Sequence, residues 1–242
     1  MISLVSKKCG LPLPKEKGFI ETKISANFSA YGTEYPFLNF WAAKTGNKIT
    51  AAVCKFENTL FISADEYADF EEIRNFSDII GYETIQAKSA VLEKMGFNNF
   101  NRFCSLKHNG NLTGVPLDLK AENLKEIYNI IYGKSEANIF KTDFAGWYAD
   151  ISHRIRHGTA IAVKFESTAA AVVSHITENS AVLSGIVTDV SKRGQGIGTK
   201  ILNEVLCRLG NRMTFVITDK ETEDFYLKSG FVITDEIGIY RR

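Results

Sequence analysis

The stretch at residues 191–200, SKRGQGIGTK, holds three glycines and two cations between a β-run and an amphipathic helix. Gly194, Gly196 and Gly198 carry no side chains, so a ligand can approach the backbone of this turn closely. The first turn of a helix leaves several main-chain N–H groups without partners and carries a partial positive charge. This combination predicts a turn that binds a phosphate or diphosphate group through its main-chain amides.

Three other interpretations of these glycines fit less well. A dinucleotide-binding turn requires G-x-G-x-x-G in a βαβ unit that starts a domain, whereas Thr199 occupies the third glycine position and the upstream strands read as a meander. A P-loop requires Gly-Lys followed by Ser or Thr, and the sequence Ile197-Gly198-Thr199 lacks that lysine. A turn without any ligand needs one flexible glycine rather than three.

The elements around the turn predict a mixed α/β domain. The helix after the turn has a buried stripe of Ile, Leu and Val, and it ends at Gly210. Three β-runs separated by short polar breaks precede the turn, which is typical of an antiparallel meander. The predicted elements are, in order, a strand at 115–120, helices at 122–133 and within 141–158, strands at 159–165, 168–176 and 180–190, a helix at 197–209, a strand at 213–218, a helix at about 221–229 and a strand at 231–240.

The first half of the chain contains a fainter copy of this order. VLEKMGF at 91–97 matches FYLKSGF at 225–231, since each ends a helix at glycine and enters a strand through phenylalanine. The first copy carries DEYADFEE in place of the glycine stretch and Leu92 in place of Tyr226, so the chemistry is assigned to the second copy. The predicted divisions are a degenerate N-terminal domain at 1–108, a turn-rich linker at 109–114 and a catalytic domain at 115–242.

Composition limits the classes of partner. The formal net charge of +1 gives no electrostatic reason to expect nucleic acid or an anionic membrane. The cysteines are scattered without the pair spacing of metal sites, which favours reduced thiols and no metal; they are Cys9, Cys54, Cys104 and Cys207. No apolar stretch has the length of a signal sequence or a membrane span. These features predict a cytoplasmic protein.

Two motifs together resemble the GNAT acetyltransferase superfamily. IVTDVSKRGQGIGTKIL places R-x-x-G-x-G at Arg193, Gly196 and Gly198 after an apolar strand, as in the acyl-CoA site of that family. FVITDKETEDFYLKSGF resembles the family's C-terminal signature, a strand followed by a helix with aromatic-Tyr and Gly-Phe. The resemblance covers about residues 115–242, and the first half looks like a truncated, degenerate copy. It implies a mixed α/β fold, with a largely antiparallel central sheet flanked by helices, in a tandem architecture.

The resemblance also implies an acyl-CoA-dependent N-acyltransferase that uses acetyl-CoA as co-substrate. The acetyl group would pass to a primary amine by direct attack in a ternary complex. In the family, the strand before the turn leaves its neighbour at a bulge, and its backbone groups bind the pantetheine arm. By position these residues are Ile186, Val187 and Thr188, and an N–H near Val187 or Thr188 would polarise the thioester carbonyl. The residues that would hold the diphosphate are Arg193, Gly194, Gln195, Gly196, Ile197, Gly198 and Thr199.

Tyr226 is the candidate general acid. Acyl transfer from a thioester expels a thiolate, and a positioned phenol with a pKa near 10 is still protonated at neutral pH and can protonate it. Without the family resemblance, a half-buried core tyrosine is the simpler interpretation of this residue.

The sequence leaves the general base open. Asp189 follows the cofactor strand, Glu178 lies in a hairpin turn, and His175 is on the neighbouring strand. The position of the base varies within the family, so the resemblance does not choose among them. Asp219 stands where many members have asparagine, and a cap of the following helix is its simplest role.

The acceptor side is the least specified part of the sequence. In the fold that the resemblance implies, the loop at 133–142 and its flanking helices wall this side, where Trp147 and Tyr148 have the spacing of core residues. A small-molecule amine and a peptide amine both fit, and a homodimer is compatible with the sequence. The alternative function is a non-catalytic acyl-CoA-binding or protein-interaction module.

Overall fold

The contacts of the chain divide it into two compact units. The computed structural model describes residues 1–5, 11, 13, 18–110, 123–133 and 143–242, so the strand predicted at 115–120 and most of the predicted linker lie outside the described residues. Unit 1 consists of Met1–Leu106, Ile217–Leu227 and Val232–Arg242, and unit 2 of Lys107–Val216 and Lys228–Phe231. Each unit is therefore made of segments that are distant in sequence: unit 1 combines the N-terminal segment with two segments near the C-terminus.

Unit 1 is a mostly antiparallel sheet flanked by helices. Its strands are β1 (Ile2–Leu4), β2 (Leu38–Thr45), β3 (Lys48–Phe56), β4 (Thr59–Ala64), β5 (Thr84–Lys88), β6 (Asn101–His108) and β11 (Val232–Arg241). Its helices are α1 (Phe19–Tyr31), α2 (Phe70–Ile80), α3 (Ser89–Lys94) and α7 (Lys220–Lys228). The strand order is β1-β2-β3-β4-β5-β11-β6. Only the pairing of β4 with β5 is parallel among the pairs from β1 to β11 in this order.

The core of unit 1 includes the last strand of the chain. Val53, Leu60, Ile62, Ile73, Ile85 and Leu92 belong to one buried apolar cluster between the sheet and the helices α2 and α3. On β11, Ile237 lies opposite Lys88 and Ile239 opposite Gln86, and both isoleucines are 1% exposed. Gly238 between them lies so close to α3 that a Cβ there would be 2.6 Å from Leu92 Cδ1. The chain end is therefore a packed part of this unit.

Unit 2 carries the elements around the glycine turn. Its strands are β7 (Ile161–Phe165), β8 (Ala169–Ile176), β9 (Ser180–Thr188) and β10 (Met213–Thr218), in the order β10-β9-β8-β7. Its helices are α4 (Leu124–Gly133), α5 (Phe144–Arg156) and α6 (Ile197–Leu209). The β7–β8 and β8–β9 pairs are antiparallel, and β9–β10 is parallel. Asp143 caps α5 by accepting a hydrogen bond from Gly146 N–H at 2.9 Å, and α6 ends at Gly210 with φ of 62°.

The strand β8 lies at the centre of the core of unit 2, because all eight of its residues are buried. The helices α4 and α5 supply Ile127, Ile130, Ile131, Trp147 and Ile151 to a cluster that contains Ala170 and Val172 of β8. The helix α6 packs its buried stripe against β8 and β9. Packed core strands hold their side chains in defined positions, so the β8–β9 pair is a rigid base for a site.

The predicted fold class is confirmed, since both units have mixed α/β structure with mostly antiparallel strands and flanking helices. The predicted meander corresponds to β7, β8 and β9, and the predicted helix 197–209 is α6. The helix α1 has no counterpart among the predicted elements. The helix predicted at 122–133 begins at Leu124, and the 134–142 part of the predicted acceptor loop lies outside the described residues.

Candidate functional site

The turn before α6 has the backbone conformation that its glycines predict. Gly194 and Gly196 have φ angles of 79° and 75°, in the left-handed region that residues with a Cβ rarely adopt. A Cβ at either position would meet only open space, so conformation rather than crowding requires glycine there. Lys192 and Arg193 are exposed beside the turn, and Arg193 Nε donates to the Thr188 carbonyl oxygen at 3.4 Å.

The N-terminus of α6 presents a row of unused hydrogen-bond donors. Among the described residues, none accepts a hydrogen bond from the main-chain N–H groups of residues 194–199. The helical pattern resumes at Lys200, whose N–H donates to the Gly196 carbonyl oxygen at 3.0 Å. Gly196 is the N-cap residue and supplies no side-chain cap. Unused donors at the positive end of a helix dipole form an arrangement that binds phosphate.

The strand β9 leaves β10 halfway along its length. Its register with β10 covers Ser180, Ala181 and Val182 only, whereas its register with β8 continues to Thr188. The register with β8 shifts at this point, so Ser184 has no partner residue in the ladder. The second half of β9 therefore has one edge bonded to β8 and, within the described residues of unit 2, no strand on its other edge.

The structure brings most of the predicted cofactor residues together. Ile186, Val187 and Thr188 form the half-exposed end of β9, and they pair with Ala171, Ala170 and Ala169 of β8. The phosphate-turn residues follow within one short 3-10 turn at Val190–Lys192. An extended chain with amides can therefore bind along the open edge of β9 and reach the N-terminus of α6.

The two carboxylates predicted as bases lie at opposite ends of β9, Asp189 just past its end and Glu178 in the turn before it. Asp189 caps the 3-10 turn, since its carboxylate accepts from Ser191 N–H at 3.0 Å and from Ser191 Oγ–H at 2.8 Å. Glu178 is exposed in the turn between β8 and β9. About 20 Å of extended strand separates Ser180, at that end, from Ile186, so the structure does not bring Glu178 to the open edge.

His175 lies in a polar cluster at the β9 bulge. A hydrogen bond of 2.5 Å joins His175 Nδ1 to Ser174 Oγ, and a second joins Ser174 Oγ to Ser184 Oγ. His175 and Ser174 are 7% and 8% exposed, whereas Ser184 is exposed on β9. Neither serine is among the residues predicted for the site. Their signal in the sequence is a serine in the interior of each of two mainly apolar runs, AAAVVSHI and SAVLSGIVT.

Tyr226 lies on α7 in unit 1, where its side chain is 6% exposed. Burial, followed by the negative charge of Asp219, raises the pKa of the Tyr226 phenol well above its usual value. The phenol is therefore protonated across the neutral and mildly alkaline range. Asp219 caps α7 as expected, because its carboxylate accepts from Thr222 N–H at 3.0 Å and from Thr222 Oγ–H at 2.8 Å.

The corresponding turn of unit 1 has the opposite chemistry. The carboxylate of Asp69 occupies the N-terminus of α2 by accepting from Glu72 N–H at 2.9 Å. Glu71 and Glu72 add two more carboxylates in the first turn. Negative charge at this position stabilises the helix and disfavours phosphate, so the anion-binding arrangement belongs to unit 2.

Two further features bear on the class of site. Among the described residues, no three His, Cys, Asp or Glu side chains are grouped so that they could hold a metal ion. No helix in the described part of the chain has the length and apolar character needed to cross a membrane.

Comparison with known proteins identifies the fold. Residues 131–239 match the family model of the acetyltransferase (GNAT) domain. A tandem GNAT protein from the clavulanic acid biosynthesis pathway has a TM-score of 0.57 at 12% identity, with 100% of this chain and 98% of that chain covered. A GCN5-related N-acetyltransferase from Sphaerobacter thermophilus has a TM-score of 0.54 at 10% identity, covering 100% of this chain and 95% of that chain. A GCN5-related N-acetyltransferase from Kribbella flavida has a TM-score of 0.55 at 13% identity, covering 93% of this chain and 95% of that chain.

These likenesses extend beyond the second half of the chain. The solved structures cover nearly all of it, which confirms the predicted resemblance and agrees with a GNAT-like fold in the first half. At such low identity they establish the fold alone. A search of curated protein sequences gave no significant match.

Proposed function

We propose that this chain, whose residues 131–239 match the family model of the GNAT acetyltransferase domain, transfers an acetyl group from acetyl-CoA to a primary amine. The row of unused main-chain donors at residues 194–199 is the observation that carries the proposal. It lies directly after an open strand edge, and acetyl-CoA combines a diphosphate with an arm that contains amide groups. The two features of the site match these two parts of the co-substrate.

The residues of unit 2 would bind the co-substrate through their backbone. The amides of residues 194–199 would hold the diphosphate, with Lys192 and Arg193 adding positive charge beside it. The open edge of β9 at Ile186–Thr188 would bond to the amides of the pantetheine arm. A main-chain N–H near Val187 or Thr188 would donate to the thioester carbonyl oxygen and stabilise the negative charge that develops there.

The chemistry is direct attack in a ternary complex. The amine nitrogen forms a bond to the carbonyl carbon, the carbon–sulfur bond breaks, and coenzyme A leaves as a thiolate. Tyr226 would give its phenolic proton to that sulfur, since burial keeps the phenol protonated until the thiolate forms. The acceptor class is a primary amine on a small molecule or a peptide.

A non-catalytic acyl-CoA-binding module is the second candidate, and the strong burial of Tyr226 favours it. The two candidates separate in an assay of thiol release from acetyl-CoA with a panel of amines, polyamines, amino acids and peptides. If the chain is an acetyltransferase, thiol release should depend on the amine. Tyr226→Phe should then lower kcat by about 100-fold, as expected for loss of a general acid.

The control for this variant is binding of acetyl-CoA, measured by calorimetry. Phe keeps the ring that packs beside Phe225 at 5.1 Å, so the affinity of Tyr226→Phe should match that of the parent protein. Binding without thiol release for any amine in the panel would favour the binding module. Unchanged turnover in Tyr226→Phe would remove the acid role from this residue.

A further inference from the structure

The bulge in β9 places two serines outside the regular strand pairing. Val172 lies opposite Gly185 and Val173 opposite Leu183, so Ser184 between them has no partner. On β8 the register likewise passes from Val173 to His175, which leaves Ser174 without one. A β-bulge redirects side chains, and here it brings the two hydroxyl groups together.

The resulting hydrogen-bond chain runs from the surface into the core. Ser184 is exposed, and its hydroxyl is bonded to that of Ser174, which is bonded to His175 Nδ1 at 2.5 Å. Ser174 and His175 are buried in a strand whose other six residues are Ala, Val and Ile. Burying polar groups in such a strand costs stability that apolar residues would not cost. The cluster therefore lowers the stability of the fold relative to an apolar core, so packing alone does not explain it.

The location of the exposed end matches the proposed chemistry. Ser184 lies just past Val182, the last residue that β9 pairs with β10, and two residues before Ile186. The open edge of β9 begins at this point. With the diphosphate at α6, the arm of acetyl-CoA would run back along Thr188 and Ile186, so its thioester end would reach the start of the open edge. This placement moves the thioester from the N–H near Val187 or Thr188, which the family resemblance implies, to the bulge. An amine that attacks it there must lose a proton close to Ser184.

The geometry points to a proton relay in which Ser184, Ser174 and His175 carry the proton away from the attacking amine. This inference rests on the proposed acetyltransferase function and assigns the general base that the sequence leaves open. With His175 protonated on Nε2, Ser174 donates to Nδ1 and Ser184 donates to Ser174. The Ser184 oxygen then has lone pairs that can accept a hydrogen bond from the amine.

The proton balance of the relay is complete. As the nitrogen–carbon bond forms, the amine proton passes to Ser184, the Ser184 proton to Ser174, and the Ser174 proton to His175 Nδ1. The imidazole ends as imidazolium, both serines are restored, and the departing thiolate takes its proton from Tyr226. Between turnovers His175 loses its extra proton to solvent and the Tyr226 phenolate regains one from solvent, so both residues return to their starting state and no further reactant is needed.

Several charged groups on the elements that pack against β8 form ion pairs with one another. The elements packed against β8 are β7, β9, α4, α5 and α6, and β9 contains no titratable side chain. The ion pairs on the other four are Lys164 with Glu126, Arg154 with Asp150, and Arg208 with Glu204. The other titratable side chains of these helices are exposed or half-exposed; they are Lys125, Tyr128, Tyr132, Tyr148, His153, Arg156, Lys200 and Cys207. His175 is thus the buried titratable group of β8 at the bulge.

The test uses the full chain with Ser184→Ala, Ser174→Ala and His175→Gln. The rate of thiol release with an alkylamine is measured against pH. Each variant should lose about 100-fold in kcat near neutral pH, as expected for loss of general-base catalysis. The deficit should shrink as the pH rises, because hydroxide in the solvent then removes the proton of the attacking amine without the relay.

Two controls separate the relay from a structural role. Ser152→Ala changes a half-exposed serine of α5, outside the site, and should leave the rate and its pH profile unchanged. The affinity for acetyl-CoA and the melting temperature should be the same in Ser184→Ala as in the parent. Ser184 is exposed, so this variant keeps the test valid even when a buried variant folds poorly.

The outcomes distinguish the relay from the function on which it depends. Turnover in the parent with unchanged rates in the variants overturns the relay and leaves the acetyltransferase in place. A deficit of constant size at every pH also overturns it, because a packing defect does not depend on amine protonation. Absence of thiol release from the parent with every amine removes the acetyltransferase and the relay with it.

Discussion

The carboxyl group of Glu21 is buried in unit 1, and only one of its two oxygens accepts a hydrogen bond from a described residue. Ser63 Oγ–H donates to Glu21 Oε1 at 2.5 Å, whereas the buried Oε2 has no hydrogen-bond partner among the described residues. Gly18 makes room for this oxygen, since a Cβ there would lie 2.8 Å from Oε2. Burial raises the pKa of Glu21, and the Ser63 hydrogen bond and the charge of Lys88 oppose that rise only in part.

The raised pKa of Glu21 fixes the direction of its effect on stability. The folded protein holds this proton to a higher pH than the unfolded chain, whose carboxyl titrates near 4.5. The free energy of unfolding therefore falls as the pH rises from about 4.5 through the folded pKa, and the loss is complete above it. Glu21→Gln keeps the Ser63 hydrogen bond and removes the buried charge, so it should reverse that loss.

We expect Glu21→Gln to raise the free energy of unfolding at pH 7.5 by about 1 to 3 kcal/mol, the usual cost of a buried polar group without a partner. At pH 4.5 the gain should be much smaller. Urea denaturation at the two pH values measures it, with Glu71→Gln, an exposed residue, as the control. Equal gains at both pH values would contradict the assignment of a buried ionised carboxyl.

At the scale of elements, two helix N-termini differ in the charge that they accept. The amides that precede and begin α6 are unused, whereas α2 begins with a side-chain cap from Asp69 and two acidic residues. A helix whose first turn already carries carboxylates repels a phosphate group. Acetyl-CoA should therefore bind once per chain, at α6.

Calorimetry of acetyl-CoA binding tests this expectation through its stoichiometry and through Gly196→Trp. A bulky residue with φ near 75° strains the turn and covers its amides, so the Kd should rise by at least about 100-fold, or about 2.7 kcal/mol. Gly158→Trp is the matched control, because Gly158 is an exposed turn glycine with φ of 68° and open space around its Cβ position. Retained binding in Gly196→Trp, or two sites per chain, would refute the assignment to α6.

The elements also show which features a sequence can reveal. Three glycines could be predicted to end or begin elements, because each affects the backbone next to it. They mark a turn (Gly194), the start of α6 (Gly196) and its end (Gly210). The helix α1 was not, since its buried positions include Glu21, Thr22 and Asn27, and these polar residues obscure the apolar period. The contact of Ser174 with Ser184 depends on a register shift between two strands, which no local pattern specifies.

At the scale of the whole molecule, the end of the chain completes the sheet of unit 1. The five residues from Ile237 to Arg241 pair with Lys88 to Thr84, about 150 residues earlier in the sequence. Such non-local pairing cannot be read from periodicity, which describes a strand but not its partner. It also means that residues 1–108 lack a strand found within the core of unit 1. The predicted boundary at 109–114 separates the two motif sets, whereas the division into compact units places the C-terminal strand in unit 1.

Gly238 provides the test of this arrangement in the full chain. Its Cβ position lies 2.6 Å from Leu92 Cδ1 and 2.8 Å from ring carbons of Phe100, so Gly238→Val must displace β11 or both side chains. Overpacking of this kind costs about 1 to 3 kcal/mol. Hydrogen exchange at the amides of Thr84–Lys88 should accelerate accordingly, because these residues pair with the displaced strand.

The matched control is Gly133→Val, at a glycine with an ordinary φ and, among the described residues, no atom within 4 Å of its Cβ position. That substitution should leave exchange in β5 unchanged, which separates crowding at β11 from the general effect of a valine in place of glycine. Exchange in β5 that does not respond to Gly238→Val would mean that β5 keeps its protection without β11. The chain end would then be an accessory strand, and residues 1–108 would hold a complete core.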